Sequence, residues 1–317
     1  MNSLTKFLSQ SAFTLVGLGL ATVPAQALVI TTNNNAGALA GGIFDSTQAQ
    51  ITGAVYNGAP VAAGTFTGGL GIFGIDTGLI LSTGNVNLAT NPSLQGQEPP
   101  GTGNFPNEDQ FGDPTLTALL PPGGRTRDAA SLIFDFIPTT DTVEFRYVLA
   151  SEEYPPGTGL FNDVFAFFLN GDEAGNNIAL VPGTETPVSI RTINANTNSG
   201  FFRNNIPDNL NIGYTGLTSV LTARATGLLP GETNTLRLAI ADGGDVFGDT
   251  SVFIEAGVFS DPGPDPDPDP DPDPVDPGEP VTSVPEPTTM LGLLAFGAFG
   301  ASTALKRKQQ QKGIAQV

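Results

Sequence analysis

The sequence predicts an all-β domain, an antiparallel β-sandwich or jelly roll, flanked by a signal peptide, a disordered Pro-Asp linker and a C-terminal transmembrane helix. Three observations favour this fold class. Apolar and polar residues alternate in many short runs, Gly, Asn and Pro separate those runs, and no segment has a sustained apolar stripe with the 3.6-residue period of a helix. Because both ends of the 317-residue chain have non-globular compositions, about 230 residues remain for a single β domain, from 28 to 260.

The first 27 residues have the pattern of a secretory signal peptide. Lys6 precedes an apolar stretch, and Ala25 and Ala27 occupy the two small-residue positions of an A-x-A cleavage site. We therefore expect export through the Sec translocon and cleavage by signal peptidase, so that the mature chain begins at Leu28. The alternative is an uncleaved N-terminal membrane anchor.

The charge balance of the chain makes nucleic acid and anionic lipid poor partners for the body of the protein. The whole sequence has 31 Asp and Glu against 12 Lys and Arg, and residues 28–260 contain 22 acids, seven Arg and no Lys. Such a surface repels nucleic acid and anionic lipid and attracts divalent cations. We therefore predict no nucleic-acid partner.

The absence of Cys and His from the sequence limits the chemistry that the chain can perform. Disulfides are excluded, and so are the Ser-His-Asp and Cys-His nucleophile systems. Imidazole and thiolate sites for zinc, copper or haem are excluded as well. Only hard oxygen ligands remain.

The first half of the domain contains short β-prone runs followed by a Pro-rich segment. We predict strands at 49–55, 64–73 and 78–82, where β-prone residues stand between Gly-rich turns. Residues 91–124 contain seven Pro and predict a long loop, which is either an exposed functional insertion or a mobile connection.

The centre of the domain is a strand that ends in paired carboxylates. Residues 142–149 alternate with period two, and Glu152 and Glu153 follow where the pattern stops. The preceding run at 132–138 is separated by a short Pro-Thr-Thr-Asp connection, which predicts an antiparallel hairpin between the two runs. A Pro-Gly loop then leads to a further strand over 162–169, which closes at an Asn-Gly turn.

The rest of the domain also consists of short predicted strands. Strands separated by Gly, Asn and Pro are predicted at 178–181, 188–193, 217–225, 235–241 and 251–259.

Several motifs in this region resemble one exported bacterial family. They are SEEYPP at 151–156, FNDVFAFFLNG at 161–171, LPGETNTLRLAIAD at 229–242 and GDTSVFIEAG at 248–257. Together they resemble the choice-of-anchor L domain, named for the varied surface-anchoring signals that follow it. The resemblance implies an exported domain, and it assigns no biochemical activity. One departure is Thr215, which stands where the family usually has Asp.

Residues 261–283 form a linker rich in Pro and Asp. Alternating Pro and Asp form neither helix nor sheet, and the regular negative charges oppose collapse, so we expect an extended polyproline-II spacer. At about 3.1 Å per residue, the first twenty residues reach roughly 60 Å.

The segment 284–312 resembles a PEP-CTERM sorting signal. It contains the motif Val284-Pro285-Glu286-Pro287, an apolar stretch at 288–305 just long enough to cross a bilayer as a helix, and the basic cluster Lys306, Arg307 and Lys308. The resemblance implies recognition by an exosortase in the inner membrane of a Gram-negative-type bacterium, with release to the cell surface or matrix. A permanent C-terminal anchor is the alternative.

Three acidic clusters are candidate sites. The first two supply the candidate metal ligands, for which Ca²⁺ is the predicted cofactor because it takes oxygen ligands from carboxylates and Gly-rich turns: Glu152, Glu153, Asp163, Asp242, Asp245 and Asp249. The third comprises Glu108, Asp109 and Asp113. Paired carboxylates would also suit glycoside hydrolysis, and solvated turn caps are the simplest interpretation of any single Asp.

These observations predict an exported, non-catalytic protein of the cell surface or extracellular matrix, with no catalytic residues. Its predicted roles are adhesion and the assembly of a surface coat or biofilm, with extracellular polysaccharide as a candidate partner. The alternatives are a secreted carboxylate-dependent glycoside hydrolase and a calcium-dependent carbohydrate-binding module.

Overall fold

A computed structural model describes residues 27–44, 47–91, 111–156, 162–207, 209–255 and 257–260. The predicted signal peptide up to residue 26, the linker and the sorting segment with its predicted helix lie outside the described residues. Among the residues that are described, no helix is long and apolar enough to cross a membrane.

The described chain is mostly antiparallel β-structure, which confirms the predicted all-β sandwich. The strands are β1 Val29–Thr32, β2 Ala49–Asn57, β3 Ala63–Thr67, β4 Thr77–Ser82, β5 Thr126–Pro138, β6 Thr142–Ser151, β7 Val164–Leu169, β8 Phe202–Asn204, β9 Gly216–Thr218, β10 Leu221–Ala225, β11 Asn234–Gly243, β12 Thr250–Glu255 and β13 Val258–Ser260. The described residues also form three short α-helices, α1 Ala36–Gly41, α2 Leu70–Phe73 and α3 Pro114–Thr117, and 3-10 helices at Val86–Thr90, Ala174–Asn176 and Ser199–Phe201.

The larger sheet is organised around β6. Its order within the described residues is β1-β3-β4-β12-β6-β9-β8, and β10 and β13 also pair with β6. β6 is long enough to pair with two strands along each edge. On one edge, β12 pairs with Tyr147 to Ser151 and β13 pairs with Thr142 to Glu144. On the other edge, β9 and β10 divide the strand in the same way. The stretch that the sequence marks as central therefore holds the larger sheet together.

The smaller sheet has the order β2-β5-β11-β7 within the described residues. Its pairs are antiparallel, and β5 is thirteen residues long. The register of β5 against β11 shifts between Ile240 and Asp242, because Asp128 and Ala129 on β5 stand opposite Ala241 alone. This is a β-bulge, a feature that bends a strand and redirects its side chains.

The main core lies between the two sheets and is rich in aromatic rings. Phe145 of the larger sheet and Phe167 of the smaller sheet are fully buried, with ring centroids 5.4 Å apart. Tyr147 and Phe165 make a second contact across the sheets at 5.4 Å. Each buried aromatic side chain contributes about 1.5–3 kcal/mol by leaving water, so these rows hold the sheets face to face.

The outer faces of both sheets are also covered. The larger sheet carries a second cluster in which Phe66, Phe73 and Phe253 contact one another, with ring centroids 4.4–5.5 Å apart. On the smaller sheet, Leu116 of α3 packs with Val164 and other residues of β7 and β11. Asp113 caps α3 by accepting hydrogen bonds from the backbone N–H groups of residues 115 and 116. The predicted long loop at 91–124 therefore contains a capped helix in its described part.

The predicted hairpin between the runs at 132–138 and 142–149 is wrong. The two runs form β5 and β6, but β5 belongs to the smaller sheet and β6 to the larger one. Both strands carry an alternating apolar row, and these rows face each other across the core. The short connection therefore carries the chain between sheets, a route that alternation alone does not distinguish from a hairpin. The next connection crosses in the same way, because β6 belongs to the larger sheet and β7 to the smaller one.

Other strand predictions are only partly right. Residues 178–181 and 188–193 contribute isolated bridges and no extended strand, because side chains such as Asn177 and Thr192 bond to the local backbone. The predicted strand at 64–73 ends at Thr67 and is followed by α2. The strands predicted at 217–225 and 251–259 are each divided into two. The predictions at 49–55, 78–82, 162–169 and 235–241 match strands of the structure closely.

Candidate functional site

One end of the core is polar because the inward rows of five strands finish in polar residues. Along β4, β6, β7, β11 and β12, alternate residues belong to the apolar core between the sheets. Continuing each alternation toward the same end of the sandwich reaches Thr83, Ser151, Asp163, Asp242 and Thr250, all of them buried. We call these five residues the polar end of the core.

Asp163 joins the two sheets at this end. Its Oδ1 accepts a hydrogen bond of 3.0 Å from the backbone N–H of Gly243, and its Oδ2 accepts one from the hydroxyl of Thr250. Burial of the carboxyl group raises the pKa of Asp163 to about 7, with a smaller contribution from Asp245, while its hydrogen bonds with Thr250, Gly243 and Glu153 oppose the shift. Asp163 is thus an anchoring carboxyl group whose charge depends on pH near neutrality.

Asp242 is the most unusual group of the polar end. Its side chain is 1 % exposed, and neither carboxylate oxygen has a hydrogen-bond partner in the described structure. Burial raises the pKa of Asp242 well above its ordinary value, and the charges of Asp163, Asp249 and Asp128 raise it further. The Thr83 hydroxyl exchanges hydrogen bonds with the backbone of residue 250, and it also lies close enough to the Asp242 carboxyl group to oppose the shift.

Two further acids border this group. Asp249 is buried beside Gly84, where an added Cβ would lie 1.9 Å from Asp249 Oδ2. Asp128 lies in the bulge of β5 with φ of 44°, a left-handed conformation that Asp tolerates better than most residues. The bulge places the Asp128 charge close enough to act on Asp242. Four aspartates from both sheets and their loops therefore share one buried region.

A cavity of about 600 Å³ adjoins the polar end. Thr83 and Asp128 contribute to its wall, together with Tyr56, the exposed Phe111 and the ion pair of Asp113 with Arg237. Of the polar end and the two acids that border it, Thr83 and Asp128 line the cavity.

The structure brings most of the predicted metal ligands together. Asp163, Asp242 and Asp249 lie in the polar region, Glu153 is hydrogen-bonded to Asp163, and Asp245 acts on Asp163 electrostatically. Glu152 donates its backbone N–H to the carbonyl oxygen of Asp249 at 3.1 Å, and the charges of both acids act on Tyr214.

In the part of the chain that the structure describes, no group of three or more acidic side chains has the arrangement that would hold a metal ion. Of the third predicted cluster, Asp113 is a helix cap and an ion-pair partner of Arg237, while Glu108 and Asp109 lie outside the described residues.

Sequence reasoning missed Asp128, Thr83 and Thr250. The two threonines were detectable, because each extends the period-two row of a predicted strand by one step: Thr83 follows its row and Thr250 precedes its row. Asp128 was not, since the bulge of β5 breaks the alternation that would have placed it.

An acidic antiparallel sandwich with a polar core end, followed in sequence by a Pro-Asp spacer and a sorting motif, defines an exported surface domain. The chain belongs to the choice-of-anchor L domain family, whose model matches residues 22–260. Residues 283–308 match the PEP-CTERM protein-sorting motif, which confirms that prediction. No curated protein and no solved structure matches the chain.

The two family matches define the cellular destination. They indicate an exported protein of the cell envelope or surface in a Gram-negative-type bacterium, and the PEP-CTERM motif implies recognition by an exosortase. Both families are related to sorting and the cell surface, and neither provides evidence for an enzymatic activity.

Proposed function

We propose that the β-sandwich is a non-catalytic module of the cell surface or extracellular matrix, contributing to adhesion or to the assembly of a surface coat. The observation that carries this proposal is the position of the acidic groups. The aspartates of the polar region are buried between the sheets or beside their end loops, and they do not face each other across an open cleft.

The cavity beside the polar end argues against a glycoside hydrolase. Hydrolysis needs two carboxyl groups that flank the substrate, about 5–9.5 Å apart according to mechanism. Among the described lining residues, the acids are Asp113 and Asp128. Asp113 caps α3 and pairs with Arg237, so it has a structural role that competes with acid-base chemistry. A matched carboxyl pair is therefore missing from this lining.

The composition of residues 261–283 supports a display role. A spacer that reaches roughly 60 Å would hold the domain away from the membrane, and its charges would keep it hydrated. A module that acts at a distance from the cell needs such a spacer. The acidic domain itself favours neutral or cationic partners over polyanions, which suits an uncharged extracellular polysaccharide.

The proposal is tested by deleting the gene in its bacterium and restoring either the full chain or a chain with Glu286→Ala in the sorting motif. We expect the deletion to reduce cell aggregation and retained matrix, the full chain to restore both, and the sorting variant to fail although the protein is made. Unchanged aggregation and matrix in the deletion strain would contradict the role.

The enzymatic alternative is tested on the purified protein. The release of reducing ends from a panel of polysaccharides, abolished by Asp128→Asn and retained in Asp76→Asn, would favour the hydrolase. We expect no release by either variant or by the parent protein, together with retention of at least one polysaccharide in a pull-down.

A further inference from the structure

The strongest unexplained feature of the fold is the carboxylate of Asp242. It is 1 % exposed, it continues the inward row of Leu236, Leu238 and Ile240, and both of its oxygens are without a hydrogen-bond partner among the described residues. Buried polar groups are almost always hydrogen-bonded, and an unpaired buried carboxylate costs several kcal/mol. Such a group needs a partner that the described residues do not supply.

The negative charges around Asp242 increase its need for a partner. Asp163, Asp249 and Asp128 each disfavour the ionised form of Asp242. Arg127 stands opposite Asp242 in the register of β5 and β11, but it is not hydrogen-bonded to either carboxylate oxygen. Like charges at close range in a low-dielectric interior repel strongly. A positive charge among these aspartates would offset both the free-energy cost of burying the Asp242 carboxylate and the repulsion between the negative charges.

Protonation of Asp242 does not remove the difficulty by itself. A protonated carboxyl group becomes a hydrogen-bond donor and needs an acceptor, and neither oxygen of Asp242 has a neighbour in hydrogen-bond geometry. A metal ion differs because it is coordinated by several oxygens at once and brings its own water molecules.

The surroundings of Asp242 supply oxygen and access. The carboxyl group of Asp249 lies close enough to act on Asp242, and the Thr83 hydroxyl lies beside it. Thr83 and Asp128 also form part of the wall of the 600 Å³ cavity, which provides a route for an ion and space for its water. All of these ligands are hard oxygen donors, which suit Ca²⁺ or Mg²⁺.

We propose that the polar end of the core binds one hard divalent cation, Ca²⁺ foremost, with Asp242 as the central ligand. Because no three acidic side chains are already arranged around an ion, direct coordination involves Asp242 and one neighbouring carboxylate, for which Asp249 is placed best. The Thr83 hydroxyl and water complete the shell, as in sites that use few protein carboxylates. Asp163 adds negative charge and joins the sheets beside the ion.

The proposal is tested by melting the protein recovered from the cell exterior at pH 8, with calcium chloride, with magnesium chloride, and with chelator. We expect calcium at about 100 times its Kd to raise Tm by about 5–10 °C over the chelated protein. Native mass spectrometry should show one bound ion. Equal midpoints in all three solutions, with no bound ion, would overturn the proposal.

Asp242→Asn gives the sharpest variant, because it keeps the shape and removes the charge. We expect it to abolish the calcium response and, in chelator, to melt above the parent protein, since a repulsive buried charge is gone. The matched control is Asp76→Asn, which makes the same charge change at an exposed position and should keep the full calcium response. A calcium response that persists in Asp242→Asn would place the ion elsewhere and overturn this site. If that variant fails to fold, Asp249→Asn replaces it: loss of the calcium response supports the site, and a full response overturns it.

Discussion

The hydroxyl of Thr250 donates a hydrogen bond to the carboxylate of Asp163, and this contact joins the two sheets at the polar end of the core. Thr250 begins β12 in the larger sheet, and Asp163 directly precedes β7 in the smaller one. The polar end therefore depends on a few specific contacts, which makes it sensitive to single substitutions.

Thr250→Val should destabilise the domain by about 1–3 kcal/mol, because the isosteric change leaves a buried carboxylate oxygen without this donor. Denaturant unfolding measures the loss. Thr222→Val is the control, since Thr222 is exposed on β10 and its replacement should change stability by less than about 0.5 kcal/mol. Equal effects of the two variants would show that the contact across the sheets is unimportant.

The chelated protein should lose stability as the pH rises from 5 to 8. Burial first, and neighbouring acids second, raise the pKa of Asp163 to about 7 and that of Asp242 well above its ordinary value. The folded state therefore favours the protonated forms, and the stability that they contribute is full below the unfolded pKa and is lost as the pH passes the folded pKa. The acids that face these groups are Glu153, Asp245, Asp249 and Asp128.

Urea unfolding at several pH values measures this dependence. In the Asp163→Asn variant, the free energy of unfolding should change less between pH 5 and 8 than in the parent protein. The control is Asp76→Asn, which should keep the slope of the parent protein. Stability that rises between pH 5 and 8 in chelator would contradict the account of these carboxyl groups.

Gly84→Ala should destabilise the domain by about 1–3 kcal/mol through overpacking. An added Cβ would lie 1.9 Å from Asp249 Oδ2, so the carboxylate would have to move. Gly71→Ala is the matched control, because a Cβ there meets nothing within 4 Å and the residue lies in α2. Thermal unfolding distinguishes them, and a neutral Gly84→Ala would show that Asp249 is not held in this position.

Arg237→Met should cost about 3 kcal/mol, because it leaves the carboxylate of Asp113 buried without its ion-pair partner. Adding Asp113→Asn should recover part of the loss while keeping the cap of α3, and this recovery in a double-mutant cycle measures the coupling. Arg224→Met is the control: its pair with Glu144 spans 3.2 Å at an exposed site and should contribute less than about 1 kcal/mol.

Much of the fold and part of the site follow from alternation in the sequence. The inward rows that place Phe165, Phe167, Leu236 and Leu238 in the core also place Asp163 and Asp242 at its end, one step beyond the apolar residues. The acids were predicted as candidate ligands of an ion, with solvated turn residues as the alternative, and neither prediction buried them in the core. Their burial depends on how the two sheets meet, and a single strand pattern does not contain that information.

The assignment of strands to sheets could not be predicted. A short connection between two half-buried strands is compatible with a hairpin and with a crossing between sheets, and β5 and β6 take the second route. The bulge at Asp128 is equally hidden, because a single extra residue opposite Ala241 leaves no compositional mark. Both features bring charges together from residues far apart in the chain.

We propose that this choice-of-anchor L domain is exported and displayed outside the cell after processing at both ends of the chain. Intact mass of the protein recovered from the cell exterior tests it most directly. We predict a species that begins at Leu28 and lacks the apolar stretch 288–305 and the basic cluster after it. A mass that retains residues 288–308 would contradict release and would show that the segment is a permanent anchor.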